Sequence, residues 1–199
     1  MFIPNKICMV TEYAKYGSLN DLMKRFNNPI DERIRIKILI DCSKGISYLH
    51  TNGIIHRDIK PDRFLIFDIQ NVDKIIINAK LTDFGSSRNI NMLMTNMTFT
   101  KGIGSPTYMS PEILNHEHYK KPSDIYSFSI TMFEVMKWGV AYPKPQFKHE
   151  WNIANFIEEG KRLDLEFISN ETMKEIISNS WQQEPKERLS IDEMTYKAL

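Results

Sequence analysis

Two charged motifs constrain the fold of this chain more than any other feature: HRDIKPDRFL at residues 56–65 and DFG at 83–85. Asp83 lies 25 positions after Asp58. The first motif follows the longest helical pattern and leads into short strand candidates at 64–67 and 75–81. The second opens the longest stretch without periodicity, 83–108, rich in Thr, Asn, Ser and Gly. A loop of that length is uncommon in a packed domain and is usually functional. The order is therefore a few strands around a polar loop, then a mainly helical body.

The helical pattern before the first motif spans residues 31–51. Ile34, Ile38, Cys42, Ile46 and Leu49 fall on one face at spacings of three and four, with Asp31 placed to cap the start. Asn52-Gly53 ends it. Upstream, ICMVTEY at 7–13 reads as a short β-rich run, AKYGS as a loop, and LNDLMKRF as a short helix capped by Ser18. Further strand candidates are 54–55 and 75–81, with 71–74 as a polar turn. Downstream, Ile125, Phe128, Met132, Val135 and Met136 make an apolar stripe over 123–138, and helical patterns recur near 150–159, 171–181 and 190–198.

With 199 residues, the chain can bury a substantial core. Its 26 basic and 25 acidic residues nearly cancel, so charge gives no argument for nucleic acid or an anionic membrane. No apolar run reaches bilayer length, and the start does not read as a signal peptide. Cys8 and Cys42 lack metal spacing and read as buried free thiols. These features fit a reduced, cytoplasmic setting, although a longer parent could be membrane-anchored. The sequons at Asn96 and Asn170 are short enough to arise by chance.

HRD-x-K followed by DFG, then SPE at 110–112, SDIYSFSI at 123–130 and WQQEPKER at 181–188, resembles a protein kinase domain of the tyrosine-kinase-like group of Ser/Thr kinases. The resemblance covers residues 7 to 194. It implies an α+β, protein-kinase-like fold: a predominantly helical large lobe at 17–199, with the last small-lobe strand and hinge at 1–16. Its implied reaction is ATP-dependent phosphoryl transfer to a protein Ser or Thr, with Mg²⁺. By that resemblance Asp58 is the catalytic base, Lys60 stabilises phosphate charge, and Asp83 is the metal ligand with Phe84 packed beneath it. Thr11 is the gatekeeper, the backbone of Glu12 and Ala14 meets adenine, and Leu65 floors the pocket. Glu112 and Arg188 form a buried pair, and Asp124 holds the catalytic-loop backbone. Thr98, Thr100 and Ser105 lie in the activation segment, where a phosphate would pair with Arg57; each also reads as an ordinary polar loop residue. Ser105 would bond Asp58 and Lys60 in a Ser/Thr-type enzyme.

Two departures from the family pattern matter. Arg63 stands where the pattern has Asn, at the second-metal position. Arginine has no acceptor and a permanent positive charge, so it cannot ligate a cation. Either Arg63 grips phosphate directly, or it pairs with Asp58, Asp62 or Asp83 and locks the site. The second departure is the lack of a glycine-rich loop, a strand Lys and its helix Glu partner ahead of the hinge. The sequence thus leaves open a Ser/Thr kinase, a non-catalytic pseudokinase or scaffold, and a fragment of a longer kinase.

Overall fold

The computed structural model describes residues 10–26, 28–71, 75–90 and 106–199. Cys8, Thr98, Thr100 and Ser105 lie outside the described residues, as do residues 7–9 of the strand expected over 7–13. Its described part, 10–13, forms no strand, and Val10 and Tyr13 are 83% and 88% exposed. A β-rich composition makes a strand only where a partner supplies the other half of the ladder.

Helix α1, Leu19–Arg25, starts in a capping box. Ser18 Oγ accepts from the Asp21 N–H at 3.1 Å, and Asp21 Oδ2 accepts from the Ser18 N–H at 2.9 Å. Gly17 precedes the box at φ +72°, and a Cβ there would lie 2.8 Å from Asp21 Oδ2, so only glycine fits this entry. Helix α2, Glu32–Thr51, is capped by Asp31 and buries Ile34, Ile38, Cys42, Ile46 and Leu49 as its periodicity predicts. It ends at Asn52, and Gly53 follows at φ 69°.

Four strands follow among the described residues. β1 (Ile54–Ile55) pairs antiparallel with β4 (Arg88–Asn89), and β2 (Phe64–Asn71) pairs antiparallel with β3 (Ile75–Leu81). The β2–β3 register shifts between Ile66 and Asp68, leaving a bulge. Helix α2 lies against β3, where a Cβ on Gly45 would come within 3.1 Å of Leu81 Cβ. Each motif therefore sits beside a strand pair. HRDIK runs out of β1 into a 3-10 turn, Pro61–Arg63, that opens β2, and DFG lies between β3 and β4.

The helical body consists of α3 (Pro111–Leu114), α4 (Lys121–Lys137), α5 (Glu150–Glu158), α6 (Glu171–Ser180) and α7 (Ile191–Ala198). α4 is the central element and is buried from Ser123 to Met136 except at half-buried Ser127. Two of its buried hydroxyls bond within the helix: Ser129 Oγ donates to the Tyr126 carbonyl at 2.6 Å, and Thr131 Oγ1 to the Ser127 carbonyl at 3.1 Å. Ser129 is fully buried, so the small residue there serves packing. Phe64 of β2 meets Phe128 of α4 with ring centroids 6.0 Å apart, joining the sheet to the helical core. Asn170 caps α6 by accepting from the Met173 N–H at 3.0 Å, which gives the amide of that sequon a structural task. Among the described residues no helix is long and apolar enough to cross a membrane.

Candidate active site

The loop carrying Asp58 hangs from one buried carboxylate on α4. Asp124 Oδ2 accepts the His56 N–H at 2.8 Å, and Oδ1 accepts the Arg57 N–H at 2.9 Å. His50, near the end of α2, brings Nε2 to 3.0 Å from Asp124 Oδ2. Asp124 is 1% exposed, so it needs these donors, and the loop is fixed because it supplies two of them. Arg57 takes φ +69°, a left-handed conformation unfavourable for a residue with a Cβ, and it is held there by the Asp124 contact. Asp124 thus joins the His56 and Arg57 backbone to α4, with His50 as a third partner.

The DFG segment is stitched to the same loop. His56 Nε2 lies 3.0 Å from the Thr82 carbonyl while its Nδ1 faces the Asp58 N–H at 3.4 Å, which assigns the ring proton to Nε2. Arg57 Nε donates to the Ser86 carbonyl at 2.6 Å, and Thr82 N–H donates to the Arg63 carbonyl at 2.9 Å. Burial lowers the Arg57 guanidinium below the usual arginine range, and neighbouring Arg88 adds to the effect. Asp83 also adopts a left-handed backbone, φ 63°. Phe84 makes an edge contact with His56 at 5.7 Å but is 51% exposed, so it does not pack fully beneath Asp83 as expected. Among the described residues its remaining face meets solvent.

Arg63 closes the gap between the two motifs. Its Nε and Nη2 donate to Asp58 Oδ2 at 2.8 and 2.5 Å, and its Nη1 lies 2.5 Å from Asp83 Oδ2. Lys60 Nζ sits 3.1 Å from the other Asp58 oxygen. Of the alternatives for Arg63, the geometry has it paired with Asp58 and Asp83. Asp62 accepts instead from Asn20 Nδ2 of α1 at 2.7 Å. The guanidinium fork spans two carboxylates, which a lysine ammonium could do less well.

This donor set does not fit a divalent cation. The carboxylate expected to ligate Mg²⁺ is bonded to a guanidinium, the Asn oxygen is absent, and no group of three His, Cys, Asp or Glu side chains among the described residues could hold a metal ion.

The expected adenine side is less developed. Leu65 is half-buried and bridges to Ser18, which places it under the 14–18 segment. Thr11 and Glu12 are exposed, the Glu12 carboxylate pairs with Lys80, and the Ala14 carbonyl accepts from the Gly17 N–H at 3.1 Å. Leu65 thus suits a floor, while the Ala14 carbonyl is occupied in a turn.

Beside Asp58 a narrow cleft is lined by Tyr108, Met109, Ser110, Tyr119 and Ser127. Tyr108 donates to Glu134 Oε2 at 2.7 Å, and Glu134 Oε1 accepts the Ala141 N–H at 2.9 Å. Burial pushes both the Tyr108 hydroxyl and the Glu134 carboxyl above their usual ranges. Tyr119 lies under the Arg57 guanidinium at 5.7 Å, and burial raises its hydroxyl to about 12. The sequence reading did not single out Tyr108, Glu134 or Tyr119; a buried Glu within the apolar stripe of α4 was the available signal.

Glu112 and Arg188 form the expected buried pair. Nη1 and Nη2 of Arg188 donate to the two Glu112 oxygens at 2.8 and 2.7 Å, and the remaining donors reach the carbonyls of Pro122, Gln182 and Gln183. Burial opposes ionisation of Glu112, but the Arg188 bonds outweigh it and hold the carboxyl below its usual range.

The family model for protein tyrosine and serine/threonine kinases matches residues 1–198. Among known proteins, the chain is similar to "Probable serine/threonine-protein kinase gdt2" of Dictyostelium discoideum, at 33% identity over 92% of this chain and 11% of the relative. It is 34% identical to "Probable serine/threonine-protein kinase gdt4" of the same organism, over 94% of this chain and 11% of that protein. It is 31% identical to RGS domain-containing serine/threonine-protein kinase A, also from Dictyostelium discoideum, over 94% of this chain and 15% of that relative. The chain therefore spans only a small part of the length of these curated relatives.

Proposed function

This chain belongs to the protein tyrosine and serine/threonine kinase family, and on that premise we propose that it carries a centre for phosphoryl transfer to protein Ser or Thr hydroxyls, held in a restrained state by Arg63. The observation that carries the reading is Asp124, which fixes the Asp58 loop through the His56 and Arg57 N–H groups. Phosphoryl transfer needs little covalent help from protein; positioning and charge balance supply the rate. In this reading ATP supplies the phosphoryl group. Asp58 orients the acceptor hydroxyl and takes its proton, and Lys60 balances charge on the transferred group. Leu65, Thr11 and the backbone of Glu12 and Ala14 form the purine side. We assign residues 17–199 to the large lobe and 1–16 to the segment that corresponds to the last small-lobe strand and hinge, although 10–13 form no strand on their own. The partner is a protein bearing Ser or Thr, and no nucleic acid is involved. We place the chain in a reduced, cytoplasmic setting, with which the buried free thiol of Cys42 is compatible.

Arg63 limits the activity through Asp58. Two of its N–H groups occupy Asp58 Oδ2, and Lys60 takes Oδ1, so three of the carboxylate's roughly four acceptor sites are engaged and a substrate hydroxyl must compete for the one left on Oδ1. This also favours a second reading, a pseudokinase using its helical surface for docking. Transfer of labelled phosphate to a Ser/Thr peptide library separates the two. Arg63→Asn should transfer about a hundredfold faster than the wild-type chain, the low end of the roughly 10²–10⁴-fold contribution of a positioned general base. Adding Asp58→Ala should abolish the gain. A folded Arg63→Asn chain that transfers no phosphate supports the docking reading and overturns the enzymatic one.

A further inference from the structure

We infer that Arg63 is the residue that sets the metal dependence of this centre: its guanidinium stands in for a divalent cation between Asp58 and Asp83, and the wild-type chain does not bind one there. The inference rests on the reading of Asp58 and Asp83 as the phosphoryl-transfer centre, but its test does not depend on turnover.

Three observations support it. The guanidinium reaches both carboxylates at once, with contacts of 2.5 Å to Asp58 Oδ2 and 2.5 Å to Asp83 Oδ2. Its backbone is anchored on both sides of the site: the Arg63 N–H donates to the Lys60 carbonyl at 2.9 Å, and the Arg63 carbonyl accepts from Thr82 at 2.9 Å. The side chain is 25% exposed, and its 3-10 turn leads directly into β2. It is therefore a fixed part of the site and not a surface arm that happens to fold over it.

The charge balance points the same way. Two carboxylates, Asp58 and Asp83, face two cations, Lys60 and Arg63, and the four cancel. With a neutral residue at 63 the cluster would keep a net negative charge that attracts a divalent ion. Arginine removes that attraction and adds repulsion at contact distance. Asp62 does not restore it, because it is turned to Asn20.

Titration of the chain with Mn²⁺, followed by loss of the free-ion paramagnetic resonance signal, tests the inference. Wild-type protein should show no saturable site that depends on Asp83. Arg63→Asn should bind Mn²⁺ about tenfold or more tightly than wild type, the scale expected from removing one positive charge near a divalent ion in a solvated cleft. Asp83→Asn in the Arg63→Asn background should return binding to the wild-type level. Arg63→Gln, closer in length to arginine, serves as a second variant, and circular dichroism confirms folding of each. Equal Mn²⁺ binding by folded wild type and both variants overturns the inference. A gain in Mn²⁺ binding without phosphate transfer leaves it standing and counts against the enzymatic reading alone.

Discussion

Replacing Asp124 with Ala should destabilise the chain by about 3–5 kcal/mol, the range for removing one member of a buried, hydrogen-bonded charged cluster. The carboxylate is 1% exposed and accepts the His56 and Arg57 N–H groups at 2.8 and 2.9 Å, with His50 Nε2 at 3.0 Å. Alanine leaves two backbone donors and an imidazole in a site closed to water. It also releases Arg57 from its φ of 69°, so the loop presenting Asp58 loses its fixed shape. Asp124→Asn keeps one acceptor oxygen and should cost roughly half as much. Urea unfolding of the three proteins at neutral pH measures both values. A cost under about 1 kcal/mol for the alanine variant would mean that the loop is held by something other than Asp124.

Arg188→Met should cost a similar amount, about 3–5 kcal/mol at pH 7, because it strands Glu112 as a buried charge without the cation that balances it. Arg188 also ties the Pro122, Gln182 and Gln183 carbonyls together, so α3, α4 and the 182–183 turn all lose an anchor. The cost depends on pH with a definite sign. Glu112 has a depressed folded-state pKa, so the stability of its ionised pair is fully present above the unfolded carboxyl value of 4.5. It is lost as pH falls through the lower folded value. The difference between wild type and Arg188→Met should therefore shrink as pH falls, first through the raised pKa of the stranded Glu112 in the variant and then, below 4.5, through the depressed one in wild type. A difference that grows on acidification would contradict the assignment.

The parts of this fold and site that were legible in the sequence share a physical cause. Glu112 and Arg188 are paired through the family resemblance, and the cost of burying either charge alone explains why they meet. The face of α2 followed from spacing, since a period of 3.6 leaves one arrangement that buries Ile34, Ile38, Cys42 and Ile46 together. Asp124 was assigned through family resemblance, and its geometry agrees. The rest depended on tertiary placement. Three carboxylates were candidates for Arg63; the choice turned on Asn20, far away in sequence, drawing Asp62 aside. The pairing of β1 with β4 involves two residues on each side and carries no periodic signal. ICMVTEY looked like a strand from composition, yet residues 10–13 form none, because composition does not supply a partner. The role of Glu134 was obscured because a buried glutamate in an apolar stripe is read only once Tyr108 and the Ala141 N–H are seen to meet it.

The central claim is that Arg63 holds the two acidic motifs together, and a double-mutant cycle on stability tests it most directly. The cycle compares wild type, Arg63→Ala, Asp58→Ala and the double variant; a parallel cycle uses Asp83→Ala. The Arg63–Asp58 coupling should be about 1–3 kcal/mol, since both side chains are largely screened from solvent, at 25% and 11% exposure. The Arg63–Asp83 coupling should be smaller, below about 1 kcal/mol, because Asp83 is 47% exposed and solvent screens the pair. Additive single variants, with no coupling between Arg63 and Asp58, would contradict the account.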